Sequence, residues 1–203
     1  MKRELAFAAL LVAATPVLTQ PVFAESAATK AAMADTTGPK LVIDVAGQAK
    51  GEIVIQLLPK LAPKTVAQIV KLAQSGAYND VVFHRVIKDF MAQTGDVEYG
   101  KKNGGQLAMA GMGGSKLPNV PAEFSDADFA RGTVGMARAQ DPNSGNSQFF
   151  IMFKQGSFLD GKYTLFGKVI KGMDVVDKIK LGDGPNGVVT KDPDVMTKVT
   201  VEK

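Results

Sequence analysis

Short apolar runs rich in β-branched residues, separated by glycine, set the pattern along most of this chain. Residues 41–45 (Leu-Val-Ile-Asp-Val) and 52–57 (Glu-Ile-Val-Ile-Gln-Leu) flank a turn-prone stretch at 47–51, which predicts a β-hairpin. Val66, Ile69, Val70 and Ala73 then recur at helical spacing, with Pro63 ahead of them and Gly76 behind, so an amphipathic helix is expected there. Further strands are expected near residues 82–85, 91–93, 133–138, 148–152 and 164–169, with a short helix over 173–179. In the last run, 195–201, alternation puts Val195, Thr197, Val199 and Val201 on one face. Many short strands with two isolated helices argue for a mainly β fold, a closed antiparallel barrel. Regular strand–helix alternation, the mark of a parallel sheet, is missing.

The first residues follow a different rule. Lys2 and Arg3 precede an apolar run over 5–18, Pro16 and Pro21 break it, and Val22-Phe23-Ala24 offers small residues for cleavage. This layout predicts a signal peptide over 1–24, cut after Ala24. The run is shorter than the ~20 residues a spanning helix needs, so no stable membrane insertion is expected after cleavage. Residues 25–38, rich in Ala, Ser and Thr, read as a disordered leader, and 39–203 as one domain. Export by this route, with no cysteine to oxidise, suits a bacterial periplasm or cell surface, and a periplasmic location is expected.

Composition narrows the chemistry. The chain has 203 residues, 24 Lys+Arg against 20 Asp+Glu, one His and no Cys. Without cysteine there is no disulfide, thiol nucleophile, iron–sulfur cluster or thiolate zinc site, and one histidine builds no multi-histidine metal cage. Net charge is +4, but basic and acidic residues are interspersed, so nucleic acid is not an expected partner.

Residues 111–116 (Gly-Met-Gly-Gly-Ser-Lys) lack P-loop spacing, because Leu117 follows Lys116 where Ser or Thr is required. The long glycine-rich stretch 100–121 is either functional or mobile. Glu123, Asp126 and Asp128 fit neither a hydrolase pair nor a calcium ladder, and are expected to be solvated turn residues. His84, lacking metal-binding partners, is expected to be a strand histidine bonded to backbone. Alternation puts Phe83 and Arg85 on one face with His84 on the other, and gives Gln148 and Phe150 a shared face. A closed barrel buries its inner face, so Arg85, Phe90, Met91, Gln93, Gln148 and Phe150 suggest either an outer groove for a peptide or ordinary packing.

Three longer stretches settle between those readings by resemblance. Phe83-His84-Arg85-Val86-Ile87-Lys88-Asp89-Phe90-Met91-Ala92-Gln93-Thr94-Gly95-Asp96 resembles the F-H-R-x-I-x-x-F-M-x-Q-x-G-D signature of cyclophilins. Met136-Ala137-Arg138-Ala139, followed by Asn146-Ser147-Gln148-Phe149-Phe150-Ile151, is similar to the family's M-A-x-A … S-Q-F-F-I block, and Phe158-Leu159-Asp160-Gly161-Lys162-Tyr163 with Phe166-Gly167-Lys168-Val169 to its W/F-L-D-G-x … F-G-x-V block. The resemblance spans residues 41–201. It implies an eight-stranded closed antiparallel barrel capped by two helices, and a peptidyl-prolyl cis-trans isomerase that needs no cofactor or metal. By the same resemblance, Arg85 is catalytic, Phe90, Met91, Phe150 and Leu159 line a pocket for the proline ring, and Gln93, Gln148, Ala137, Arg138 and Ala139 hold the peptide. Phe158 and Tyr163 join the substrate-binding set where many eukaryotic members carry Trp and His; the Trp position helps hold cyclosporin in the family. The expected partners are proline-containing polypeptides, unfolded or partly folded, met by a monomer that assists folding of exported proteins. A rival reading keeps the scaffold but makes the protein a binder or holding chaperone, a role for which a catalytic Arg85 is unnecessary.

Overall fold

The computed structural model describes residues 25–203, so the expected signal peptide lies outside the described residues. In chain order the elements are α1 (Ala27–Ala34), β1 (Lys40–Ala46), β2 (Gly51–Leu57), α2 (Pro63–Gln74), β3 (Val81–Val82), β4 (Arg85–Ile87), β5 (Met91–Thr94), β6 (Thr133–Met136), β7 (Phe149–Met152), β8 (Leu165–Lys171), α3 (Met173–Val176) and β9 (Val195–Glu202). The strands form a single nine-stranded antiparallel sheet in the order β3-β9-β1-β2-β8-β6-β7-β5-β4. This corrects the expected closed eight-stranded barrel. The sheet is open, with β3 and β4 at its two edges, and only Phe83 and His84 join them. One strand of the expected barrel is thus split in two: its first half pairs with β9 and its second with β5.

The split also overturns a face assignment. Parity is not carried across the two intervening residues, so Phe83 and Arg85 do not share a face. Phe83 is fully buried in the main core, while Arg85 is half-buried at the outer surface. The expected face of β9 fails for a related reason. A bulge between Asp44 and Val45 shifts the β1–β9 register, so Met196 and Val199 point into the core while Thr197 is exposed and donates its hydroxyl to the Asp44 carbonyl at 3.1 Å.

Two apolar clusters lie on opposite faces of the sheet. The inner one holds Leu41, Ile43, Ile53, Ile55, Val86, Ala92, Val134, Phe149, Ile151 and Phe166, with Val66, Ile69 and Leu72 of α2 closing one end. The outer one holds Met91, Phe150, Met152 and Leu165 from the strands, with Ala127, Phe129 and Leu159 from segments that cross over them. Each large side chain buried this way contributes about 1.5–3 kcal/mol. Strict alternation along β5 and β7 therefore feeds two cores.

The segment expected to be a disordered leader contains α1. Ser26 caps this helix, and its amide donates to the Asp126 carboxylate at 2.7 Å, as does the Thr29 hydroxyl. Thr29 and Ala32 are buried, Met33 packs against the outer cluster, and Lys168 Nζ donates to the Met33 carbonyl at 2.6 Å. The composition is poor in apolar bulk, but small residues suffice for a helix that docks by its caps.

Glu123 and Asp126 are accordingly not plain turn residues; only Asp128 is exposed as expected. Helix α2 starts with Pro63, and its N-cap Ala62 offers no side-chain acceptor. Glu123 supplies one from across the fold, accepting from Lys64 N at 3.0 Å and Thr65 N at 2.8 Å, where the helix dipole also favours an anion. Replacing Glu123 by Ala should lower unfolding free energy by about 1 kcal/mol in a urea titration. An unchanged midpoint would show that the capping bonds add nothing.

Candidate active site

Register builds the site. Arg85 lies opposite Gln93, Gln93 opposite Phe150, and Phe150 opposite Gly135, so one row across β4, β5, β7 and β6 carries these side chains on the outer face. The next outward row sets Ile87 beside Met91 and Met91 beside Met152. Gly135 is small for a reason: a Cβ there would sit 2.4 Å from Phe150 Cζ and 2.7 Å from Phe129 Cε1. The Phe150 ring lies across this gap, stacked on Phe129 at 5.8 Å and meeting Tyr163 edge-on at 5.9 Å.

A cavity of about 300 Å³ opens over this row, lined by Arg85, Phe90, Met91, Gln93, Ala137, Arg138, Phe150, Phe158, Leu159 and Tyr163. A second cavity, about 220 Å³, adjoins it and shares Gln93, Ala137 and Arg138; Ala139 and Gln148 line this one. Every site residue named from the sequence is therefore brought to one continuous groove. Phe158 is exposed at the rim and packs on Phe90 at 5.4 Å, while Met91, Phe150 and Leu159 are buried at the floor. Arg138 reaches over the Tyr163 ring at 4.5 Å and donates to the carbonyls of Ala139, Gln140 and Lys162.

The sequence reading missed part of the second cavity. Gly111, Met112, Gly113, Ser144, Asn146 and Ser147 complete its wall. The long glycine-rich stretch was the one visible pointer to the first three, without indicating which residues turn inward. Asn186 was also missed: its carbonyl accepts from Arg85 Nε at 3.0 Å. The loop carrying it covers the open edge of β4, with Val189 N donating to the His84 carbonyl and Gly182 N to that of Val86. Gly187, at φ +80°, fits against β4 where a Cβ would lie 2.4 Å from Ile87 Cγ1.

Arg85 is held as a donor. Nη1 donates to Gln93 Oε1 at 3.2 Å while Nε donates to Asn186, and among the described residues it makes no ion pair. Partial burial pulls its pKa below the ordinary arginine value, with Tyr163 acting in the opposite sense. A guanidinium so placed stays protonated at neutral pH. Among the described residues no three His, Asp or Glu side chains group as metal ligands.

His84 departs from its expectation in two respects, the first being that it lies between β3 and β4 rather than within a strand. Its backbone carbonyl is bonded, but neither ring nitrogen meets a hydrogen-bond partner, although the residue is only 5% exposed. The ring packs beneath Gly111, where a Cβ would come within 3.1 Å of Cδ2. Burial pushes its pKa down to about 4, opposed by the nearby Asp96 charge and reinforced by Arg85.

Residues 42–201 match the sequence profile of the cyclophilin type peptidyl-prolyl cis-trans isomerase/CLD family. The chain is 58% identical over 153 residues to a probable peptidyl-prolyl cis-trans isomerase of Brucella suis, covering 75% of this chain and 78% of that one. It is 37% identical over 165 residues to peptidyl-prolyl cis-trans isomerase B of Escherichia coli, covering 75% and 95%. Among solved structures, the cyclophilin AquaCyp293 of Hirschia baltica superposes with a TM-score of 0.63 at 26% identity, over 79% of this chain and 73% of that one. A Cryptosporidium parvum cyclophilin shares the fold at 24% identity, with a TM-score of 0.67 over 81% and 99% of the two chains. The chain belongs to the cyclophilin-type peptidyl-prolyl cis-trans isomerases.

The buried imidazole gives a pH prediction. An unfolded histidine binds its proton near pH 6.5 and the folded one near 4, so the unfolded state is favoured as pH falls through that window. Stability should drop by about 3 kcal/mol between pH 7 and pH 4. His84→Gln should flatten the dependence between pH 7 and 4.5 in urea titrations; an unaltered slope would rule His84 out as its source.

Proposed function

We propose that this isomerase acts on X-Pro bonds of exported, unfolded or partly folded polypeptides, with Arg85 carrying the chemistry. The observation that bears most weight is the guanidinium at the rim of an apolar cavity, held by two acceptors and, among the described residues, neutralised by no carboxylate. The cavity's Phe90, Met91, Phe150 and Leu159 present an apolar floor that suits a proline ring. The Cryptosporidium parvum cyclophilin that shares this fold was crystallised in the presence of the dipeptide Ala-Pro.

Physical chemistry supports the role. Amide resonance puts a barrier of ~18–20 kcal/mol on rotation about the X-Pro bond. Twisting the bond localises the lone pair on the prolyl nitrogen, which becomes a better hydrogen-bond acceptor than in either planar isomer. A fixed donor aimed at that nitrogen stabilises the twisted state selectively. Arg85 has N–H groups to spare after bonding Gln93 and Asn186, and half-burial strengthens a bond made there. No covalent bond is made or broken, so no nucleophile or general base is called for.

Export rests on the basic start, the apolar run over 5–18 and the small-residue site ending at Ala24. The mature protein recovered from the periplasm of a bacterial host should begin at Glu25; recovery of an intact N-terminus in the cytoplasm would contradict it.

Arg85→Ala should keep the wild-type melting curve and lose at least about a hundredfold in kcat/KM on an X-Pro tetrapeptide followed by NMR exchange. Activity that survives in the folded variant would remove Arg85 from the mechanism. Equal suppression of client aggregation by variant and wild type would assign the cellular role to binding.

A further inference from the structure

The polar contacts behind the groove run in one direction. Arg85 Nη1 donates to Gln93 Oε1 at 3.2 Å, Gln93 Nε2 donates to Gln148 Oε1 at 3.0 Å, and Gln148 Nε2 donates to the Gly113 carbonyl at 2.8 Å. A guanidinium can only donate and a carbonyl can only accept. The two ends of the chain therefore dictate which way both glutamine amides face. Reversing either amide sets donor against donor or oxygen against oxygen.

The far end is itself held in place. Asp96 is fully buried, and its Oδ2 accepts from Gly111 N at 2.7 Å and Gly113 N at 2.9 Å. Its Oδ1 accepts from Glu98 N at 3.1 Å and Tyr99 N at 2.9 Å. The Glu98 carboxylate takes the Gly114 amide at 3.3 Å, which belongs to the same peptide unit as the Gly113 carbonyl. That peptide thus has its N–H turned to Glu98 and its oxygen turned to Gln148. Gly113 leaves no slack, since a Cβ there would lie 2.6 Å from Asp96 Oδ1 and 2.8 Å from Glu98 Cβ.

We propose that Asp96 is a positioning residue for Arg85: by gathering the Gly111 and Gly113 amides it holds the Gly113 carbonyl toward Gln148, fixes the polarity of the glutamine chain, and so aims the guanidinium into the proline cavity. The proposal rests on Arg85 carrying the isomerisation. Without the carboxylate, the peptide rotates, Gln148 loses its acceptor, and Gln93 can present its NH₂ to Arg85 in place of its oxygen. The guanidinium then keeps only its bond to Asn186 and swings about Nε.

Asp96→Asn tests this with little change in shape, because an amide offers one acceptor and turns an NH₂ group toward two backbone donors. Wild type, Asp96→Asn, Gly113→Ala and Arg85→Ala would be compared on an X-Pro tetrapeptide, with thermal melts and the NMR resonance of the Arg85 Nε–H group. For Asp96→Asn, kcat should fall between about tenfold and hundredfold, the cost of a misplacement near 1 Å, with KM changed less than about twofold. The Arg85 resonance should move or broaden, and Gly113→Ala should show the same pattern more weakly. A folded Asp96→Asn protein with wild-type kcat overturns the proposal, as does lost kcat with the Arg85 resonance unmoved. If Asp96→Asn fails to fold, Gly113→Ala decides by the same two readouts. Wild-type activity in Arg85→Ala would instead defeat the underlying mechanism, so the two failures are told apart.

Discussion

Backbone hydrogen bonds between β4, β5, β7 and β6 hold one register, and that register decides which side chains face the groove. The row Arg85–Gln93–Phe150–Gly135 faces outward, and the next row, Val86–Ala92–Ile151–Val134, faces inward into the main core. A slip of one residue would exchange the two sets, putting a guanidinium and an amide into the densest packing and exposing four apolar side chains. The inner core therefore protects the site's geometry without touching substrate. Each inward residue stabilises the fold and, in the same stroke, keeps its outward neighbour in line.

An outward-facing Phe150 and Met91 would normally be a liability on a sheet surface. Here the crossing segments that bring Phe129 and Leu159 cover most of them, leaving an uncovered part as the groove. The groove is thus the unfinished edge of a second core. Its floor is held because the same side chains are packed in the outer cluster, and its rim is tied down separately, Phe158 against Phe90 and Arg138 over Tyr163. Preorganisation comes from packing, and the polar groups need only be aimed.

Legibility in the sequence followed the range of the interactions. Hairpin β1–β2 and helix α2 are set by neighbours in the chain, by Gly47 to Gly51 and by Pro63 and Gly76, and both were readable from spacing. The residues that line the groove could be named from the sequence because three motifs carry them at fixed offsets along the chain. What escaped depends on distant partners. The interruption at Phe83 and His84 exists because β3 and β4 pair with strands at opposite edges of the sheet, which no local alternation reveals. The bulge in the β1–β9 pairing and the docking of α1 on Asp126 are likewise long-range events. Glu123 looked like a turn residue because its partners, the first amides of α2, lie 58 and 59 positions away.

The inventory of one histidine and no cysteine takes its meaning from the kind of reaction involved. Rotation about a bond requires a donor held still, and stillness is harder to build than reactivity. A lysine at position 85 would present a flexible point charge with three interchangeable donors, whereas arginine offers a planar fork whose N–H directions are fixed once two of them are bonded. Asn186 fixes the Nε edge and Gln93 the Nη1 edge, which leaves the plane of the guanidinium no freedom to turn. If Arg85 carries the reaction as proposed, catalytic power resides in the acceptors that hold the donor as much as in the donor itself. On the proposed mechanism this accounts for the neutral amides of Gln93 and Gln148 beside Arg85: a carboxylate at either position would hold the guanidinium more strongly but would spend its charge before substrate arrived.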